Sequence, residues 1–63
     1  MDDELFTPEE AAKLLRIAKV TLYRYTKDRE ISVVKRGRYV RYRKSDLVAF
    51  IDRYTIKREE NAQ

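Results

Sequence analysis

The only glycine in the chain, Gly37, lies within a segment of branched, aromatic and basic residues that spans positions 33–42. Valine and tyrosine favour extended backbone, and glycine readily adopts the positive φ that a tight turn between two strands requires. The segment therefore predicts a β-hairpin with its turn at Gly37. On the second strand, period-two alternation places Val40 and Tyr42 on one face and arginines on the other. We expect the apolar face to cover the helices and an arginine ladder to face outward.

A complete helix start signal precedes this segment. Thr7 is suited to the N-cap position, Pro8 to the first helical position, and Glu10 to the closing position of a capping box. The pattern predicts a helix that begins at Pro8 and ends near position 15 or 16. Its expected apolar face, at helical spacing, consists of Ala11, Leu14 and Leu15.

Two further helices are predicted. The first covers about Lys19 to Lys27 and follows a break of roughly three residues, so that the first two helices form a helix-turn-helix in which small Ala12 permits a close crossing. The alternative is an ordinary helix pair in an unrelated bundle. The last helix runs from Lys44 or Ser45 to about Tyr54, and its expected core stripe is Leu47, Phe50, Ile51 and Tyr54.

These elements predict a small α+β, mainly α fold: a winged helix-turn-helix with three helices and a two-stranded β-hairpin wing. We expect an acidic N-terminal tail at residues 1–5, the winged helix-turn-helix domain at 6–54, and a polar C-terminal tail at 55–63. With 63 residues the chain has room for one small core.

The charge is unevenly distributed along the chain. Residues 13–44 hold twelve bases and only two acids, whereas residues 1–12 hold five acids and no base. A net charge of +10 in one block suggests a polyanion partner, of which nucleic acid is the commonest. The alternatives are charge that serves solubility and an acidic membrane surface, but the block lacks the long amphipathic helix that membrane binding uses.

The composition argues against an enzyme. The chain has neither cysteine nor histidine, so disulfides, thiolate nucleophiles, imidazole bases and the usual zinc ligands are excluded. Glu10 is explained by helix capping and Glu9 by the positive N-terminus of the helix. We predict no catalytic residue, metal or cofactor. With no membrane-spanning segment and no signal peptide, we expect a soluble protein of the cytoplasm.

The solvent face of the second helix is the expected base-reading surface, because the major groove admits one helix. Arg24 suits bidentate contact with guanine, and Val20 suits contact with a thymine methyl group. For Tyr23 the alternative is a partly buried aromatic, and for Lys19 and Lys27 a solvated charge. The candidate DNA-binding residues of this recognition helix are Lys19, Val20, Thr21, Tyr23, Arg24 and Lys27.

The basic hairpin is the second candidate contact. Four cations crowd within seven residues and would repel one another unless an anion lay beside them, and the tip around Gly37 suits a narrow minor groove or the phosphate backbone. The alternative is a charged edge that prevents strand aggregation. The candidate wing residues are Lys35, Arg36, Gly37, Arg38, Tyr39 and Arg41.

The order of these motifs over residues 5–52 resembles the excisionase group of winged-helix proteins, related to the DNA-binding part of mercury-resistance-type regulators. The matching segments are Thr7-Pro8-Glu9-Glu10-Ala11-Ala12 with Leu15, Thr21-Leu22-Tyr23-Arg24, Val34-Lys35-Arg36-Gly37-Arg38-Tyr39-Val40-Arg41, and Ser45-Asp46-Leu47 through Phe50. The family often has glycine where Arg16 stands and a serine N-cap where Ala18 stands.

The resemblance implies an accessory protein of a phage or mobile element, acting in a bacterial host cell. Such a protein binds repeated sites beside an attachment site, bends the double-stranded DNA and directs an integrase toward excision, with self-association on adjacent sites. Residues 55–63 are candidates for protein contacts. The alternatives are a small phage or plasmid transcriptional regulator that uses the same surface and a basic protein-interaction module that docks on an acidic partner.

Overall fold

The computed structural model describes residues 3–56 of the chain. Over these residues the chain folds into three helices and a three-stranded antiparallel sheet with strand order β1-β3-β2. The elements are β1 (Leu5–Phe6), α1 (Pro8–Leu15), α2 (Lys19–Lys27), β2 (Val34–Arg36), β3 (Tyr39–Arg43) and α3 (Lys44–Arg53). The small α+β class and the winged helix-turn-helix arrangement are confirmed. Met1, Asp2 and residues 57–63, which include most of the predicted C-terminal tail, lie outside the described residues.

The capping box predicted for α1 is present. The Thr7 hydroxyl accepts from the Glu10 amide at 3.1 Å, and the Glu10 carboxylate accepts from the Thr7 amide at 2.9 Å. The helix ends at Arg16, whose backbone is left-handed with φ 58° and ψ 46°. α2 then begins after Ala18, whose side chain supplies no capping hydrogen bond. A residue other than glycine therefore supplies the left-handed turn, and α2 begins without a side-chain cap.

The predicted hairpin is formed by β2 and β3, with Val34 opposite Arg41 and Arg36 opposite Tyr39. Gly37 lies in the turn with φ +59°, the left-handed region that favours glycine. β2 is an edge strand that is exposed along its whole length. The wing therefore projects from the domain, attached mainly through β3.

The folded part of the chain begins earlier than the sequence indicated. Leu5, assigned to the acidic tail of residues 1–5, pairs with Arg43 in β3, and so adds a third strand to the predicted two-stranded hairpin. The Asp3 carboxylate accepts from the Ser45 amide at 3.1 Å and from the Ser45 hydroxyl at 2.6 Å. Asp3 thereby caps α3, since its N-cap residue Arg43 makes no capping side-chain bond. These bonds lower the pKa of Asp3.

The core is small and lies where α1, α2, α3 and β3 meet. Its buried members are Ala11, Ala12, Leu22, Ile31, Tyr42 and Leu47.

Three residues expected in the core are not buried. Leu14 on α1 is 44% exposed, Ile51 on α3 is 43% exposed and Tyr54 is 58% exposed. In a domain this small, the neighbouring elements cover only part of the apolar face of each helix, so some apolar residues on that face stay exposed. Ile31 was missed because it lies in the connection between α2 and β2, outside any periodic pattern.

Candidate nucleic-acid interface

The recognition helix α2 is held by its inner face. Leu22 is fully buried, and the Tyr25 ring lies against the Phe50 ring of α3 with centroids 5.2 Å apart. The opposite face consequently points to solvent: Val20 is 70% exposed, Tyr23 is 47% exposed, and Arg24 and Lys27 are also exposed. Thr21 is half-buried, with its amide bonded to the Ala18 carbonyl. The exposed residues therefore form the outward face that the sequence predicted.

The cations on this helix differ in their partners. The Arg24 and Lys27 side chains make no hydrogen bond or ion pair with any residue between positions 3 and 56. Lys19 instead forms an ion pair with Glu9 of α1, with 3.1 Å between Lys19 Nζ and Glu9 Oε2. This pair raises the pKa of Lys19, chiefly through the hydrogen bond that its ammonium donates to the Glu9 carboxylate. Arg24 and Lys27 are thus free to bind an external anion, whereas Lys19 must first separate from the Glu9 carboxylate.

The wing tip carries three further unengaged cations. Lys35, Arg36 and Arg38 are exposed, and their side chains form no ion pair within the described part of the chain. A Cβ added at Gly37 would meet no atom within 4 Å, so the tip is sterically open and glycine is needed there for its backbone angle alone. Three exposed positive charges around an open tip suit a phosphate backbone or a narrow groove.

Arg41 and Arg43 differ from the predicted arginine ladder. The Arg41 guanidinium lies 4.5 Å from the centroid of the exposed Tyr39 ring and donates to the Val40 carbonyl at 2.8 Å. Arg43 donates to the Asp46 carboxylate at 2.8 Å. Arg41 therefore keeps further donors for an external group, while the charge of Arg43 is paired with a carboxylate in the first turn of α3. For Arg43 the difference arises from the Asp46 carboxylate, and for Arg41 it arises from the Tyr39 ring and the Val40 carbonyl, none of which alternation alone revealed.

A groove of about 300 Å³ separates α2 from the wing, with apolar side chains and two lysines along it. Across it, the Thr26 and Tyr42 hydroxyls are hydrogen-bonded at 2.9 Å. The Thr26 proton is donated to the Leu22 carbonyl, also at 2.9 Å, so the Tyr42 hydroxyl is the donor to Thr26. This bond fixes the spacing between helix and wing. The residues that line the groove are Tyr23, Thr26, Lys27, Val33, Lys35, Val40 and Tyr42.

The groove unites predicted and unpredicted residues. Tyr23, Lys27 and Lys35, predicted from separate elements, face one space. Thr26 and Tyr42 were not predicted as part of the site, although the alternation of β3 did place Tyr42 on the helix-facing side. Glu9 was missed as a surface partner of Lys19, because only the crossing of α1 and α2 brings two residues ten positions apart together.

The chemistry offered by this surface is that of cations and hydrogen-bond donors. Residues 3–56 contain no group of three or more acidic, histidine or cysteine side chains placed to hold a metal ion. Over the same residues, no helix combines the length and apolar character needed to cross a membrane. The surface as it stands is suited to a polyanion.

The fold and this surface define a winged helix-turn-helix protein. The helix-turn-helix domain family matches residues 5–55, and the chain belongs to that family, which includes excisionase-like domains. Neither the curated proteins nor the solved structures contain a significant match to the chain. Family membership implies double-stranded DNA as the partner and supports sequence-specific binding, in a family that is typically non-enzymatic.

Proposed function

We propose that this protein is an excisionase, a recombination directionality factor that binds and bends attachment-site DNA to promote integrase-mediated excision. The observation that carries the DNA-binding part is the set of unpaired cations on both sides of one groove, contributed by α2 and the wing. In this proposal α2 enters the major groove, while the wing contacts the adjacent minor groove or the backbone.

Base reading falls to the exposed face of α2. Arg24 has a free guanidinium, which fits the two acceptors of guanine, and Val20 offers an exposed apolar surface to a thymine methyl group. Thr21, in the first turn of α2, contacts a phosphate or a base edge in this proposal. These residues provide the discrimination between sequences.

Backbone contact falls to the wing and to the rims of the groove. Lys27 on α2 and Lys35 on β2 both line the groove, so their ammonium groups suit a phosphate, and the apolar side chains of the groove suit its sugar. Arg36 and Arg38 extend this contact to the tip. A protein that contacts one duplex at two separated places favours a bent duplex if bending brings more phosphates into contact. The additional contacts then offset the energy needed to deform the DNA.

The directionality role rests on different support. The motif order over residues 5–52 resembles excisionases, and the matched family includes excisionase-like domains. The role requires several copies on neighbouring sites and an integrase as the protein partner. The remaining candidate for the integrase contact is the tail of residues 55–63, most of which lies outside the described residues.

The test is a gel shift on DNA from the protein's genomic neighbourhood and on random duplex, followed by an excision assay with the neighbouring integrase. We expect stepwise shifted bands on the local DNA and excision that depends on the protein. For variants that remove the charge of Lys27 or Lys35, the matched control is Arg53→Gln. The Arg53 side chain donates to the Glu30 carbonyl at 2.6 Å and does not line the groove.

The outcomes separate the alternatives. Specific binding at a promoter with no effect on excision would identify a transcriptional regulator and reject the directionality role. Absence of binding to any duplex at low salt would reject both DNA functions and favour a protein-interaction module, because phosphate contacts should give affinity that falls steeply with salt.

A further inference from the structure

Glu9 is an acidic residue on a surface otherwise built for an anion. It is the second residue of α1, its side chain is 70% exposed, and its carboxylate is 3.1 Å from the ammonium of Lys19. Its pKa is lowered by its own backbone amide at the helix N-terminus, by Lys19 and, more weakly, by the charge of Arg41 on the wing strand. Glu9 therefore lies within the fields of both α2 and the wing.

Lys19 would otherwise be accessible to a phosphate near the start of α2, since its side chain is 45% exposed. It is the first residue of that helix, whose first turn carries no acidic residue, so its side chain and the helix N-terminus both attract anions there. The Glu9 carboxylate opposes both effects: it occupies the Lys19 ammonium, and it repels a phosphate that approaches.

We propose that Glu9 acts as a specificity-determining residue, which holds Lys19 on the protein and thereby suppresses binding to DNA of unrelated sequence. This inference rests on the proposed DNA-binding function. Nonspecific binding derives nearly all its free energy from phosphate neutralisation, so the removal of one available cation weakens it directly. In the specific complex, base contacts by Arg24 and Val20 fix the position of α2, and Lys19 keeps its Glu9 partner.

The decisive variant is Glu9→Gln, which keeps the shape of the side chain and releases Lys19. On random duplex at low salt we expect affinity to rise roughly two- to fivefold, the range of an exposed ion pair, with a salt slope steeper by about 0.9 for one added phosphate contact. On the specific site the gain is smaller, so the ratio of specific to nonspecific affinity falls. The matched control is Glu4→Gln, which removes the same charge from an exposed side chain with no ion pair among residues 3–56.

A double-mutant cycle tests whether Glu9 acts through Lys19. We expect Lys19→Gln alone to weaken random-duplex binding less than Lys27→Gln, whose lysine has no internal partner, and we expect the gain from Glu9→Gln to shrink in the Lys19→Gln background. Circular dichroism of each variant establishes that it is folded.

Two results overturn the inference. In the first, the wild-type protein binds duplex, but the Glu9→Gln and Glu4→Gln variants have the same affinity for random duplex. In the second, Glu9→Gln raises the random-duplex affinity by the full amount in the Lys19→Gln background as well. Glu9 would then act only through its general negative charge. A wild-type protein that binds no duplex at all contradicts the proposed function itself, so the two failures are distinguishable.

Discussion

At the scale of single residues, Arg16 shows where the helix-turn-helix is under strain. Its φ of 58° is in the left-handed region, where a Cβ is unfavourable by about 1 kcal/mol. The preceding helix nevertheless closes on it, since its amide donates to the Lys13 carbonyl at 3.1 Å. The turn is therefore imposed by the packing of α1 and α2 rather than by a residue that prefers the conformation.

Because of this strain, we predict that substitution by glycine changes the free energy of unfolding in opposite directions at two positions. Arg16→Gly should raise the free energy of unfolding by about 0.5–1 kcal/mol, because glycine adopts positive φ without steric cost. Lys13→Gly, at an exposed position within α1, should lower it by about the same amount. Urea denaturation followed by circular dichroism measures both. If Arg16→Gly destabilises the protein as much as Lys13→Gly, the account of the turn is wrong.

Single residues also mark the limit of sequence reasoning about the site. Arg24, Val20 and the basic wing tip could be predicted, because exposure follows from helical and strand periodicity. The pairing of Lys19 with Glu9 could not, since it depends on where α1 and α2 meet in space. The pairing of Arg43 with Asp46 is local, three positions apart, and was missed because the alternation of β3 does not extend into the first turn of α3. Charge patterns indicate the sign of a surface but not which of its charges are free.

At the scale of elements, the proposed DNA binding depends on a fixed spacing between α2 and the wing. β2 is exposed throughout, and the described contacts that set the spacing are those of β3, above all the hydrogen bond from the Tyr42 hydroxyl to Thr26. Tyr42 itself is 1% exposed. Loss of this bond leaves a partly buried threonine oxygen without its donor and loosens the groove.

The corresponding variant is Tyr42→Phe, for which we expect a loss of about 0.5–1.5 kcal/mol in the free energy of unfolding and weaker DNA binding. The control is Tyr39→Phe, which makes the same change on the exposed face of the same strand and should alter stability by less than about 0.5 kcal/mol. Equal stabilities for the two variants in thermal or urea denaturation would show that the hydroxyl bridge does not hold the wing.

Element boundaries were predictable where local signals act alone. The start of α1 follows from its capping box, and the hairpin turn follows from Gly37. β1 was not predictable, because a two-residue strand has no periodicity and forms only by pairing with β3. The apolar stripe of α3 gave a wrong prediction of which residues are buried, for a related reason. Periodicity identifies an apolar face, but the neighbouring elements determine how much of that face is covered.

At the scale of the whole molecule, a small core supports a large charged surface. Six residues are buried, and none of the buried residues in the described part is charged. The aromatic rings of Tyr25, Phe50 and Tyr54 extend the core between α2 and α3, with centroids of successive rings 5.2 and 5.0 Å apart. The Tyr54 hydroxyl donates to Glu30, which ties the end of α3 to the segment after α2. The surface opposite this cluster on α2 is thereby left free for DNA.

The most direct test of the account is the affinity of the wild type, Arg24→Ala and Arg38→Ala for the specific site, its single-base variants and random duplex, measured by fluorescence anisotropy over a range of salt. We predict that Arg38→Ala weakens binding to every sequence and lowers the salt slope by about 1. Arg24→Ala should relax the preference at one base position, with a loss of about 1–3 kcal/mol on the specific site. If the two variants behave alike, the division of labour between recognition helix and wing is contradicted.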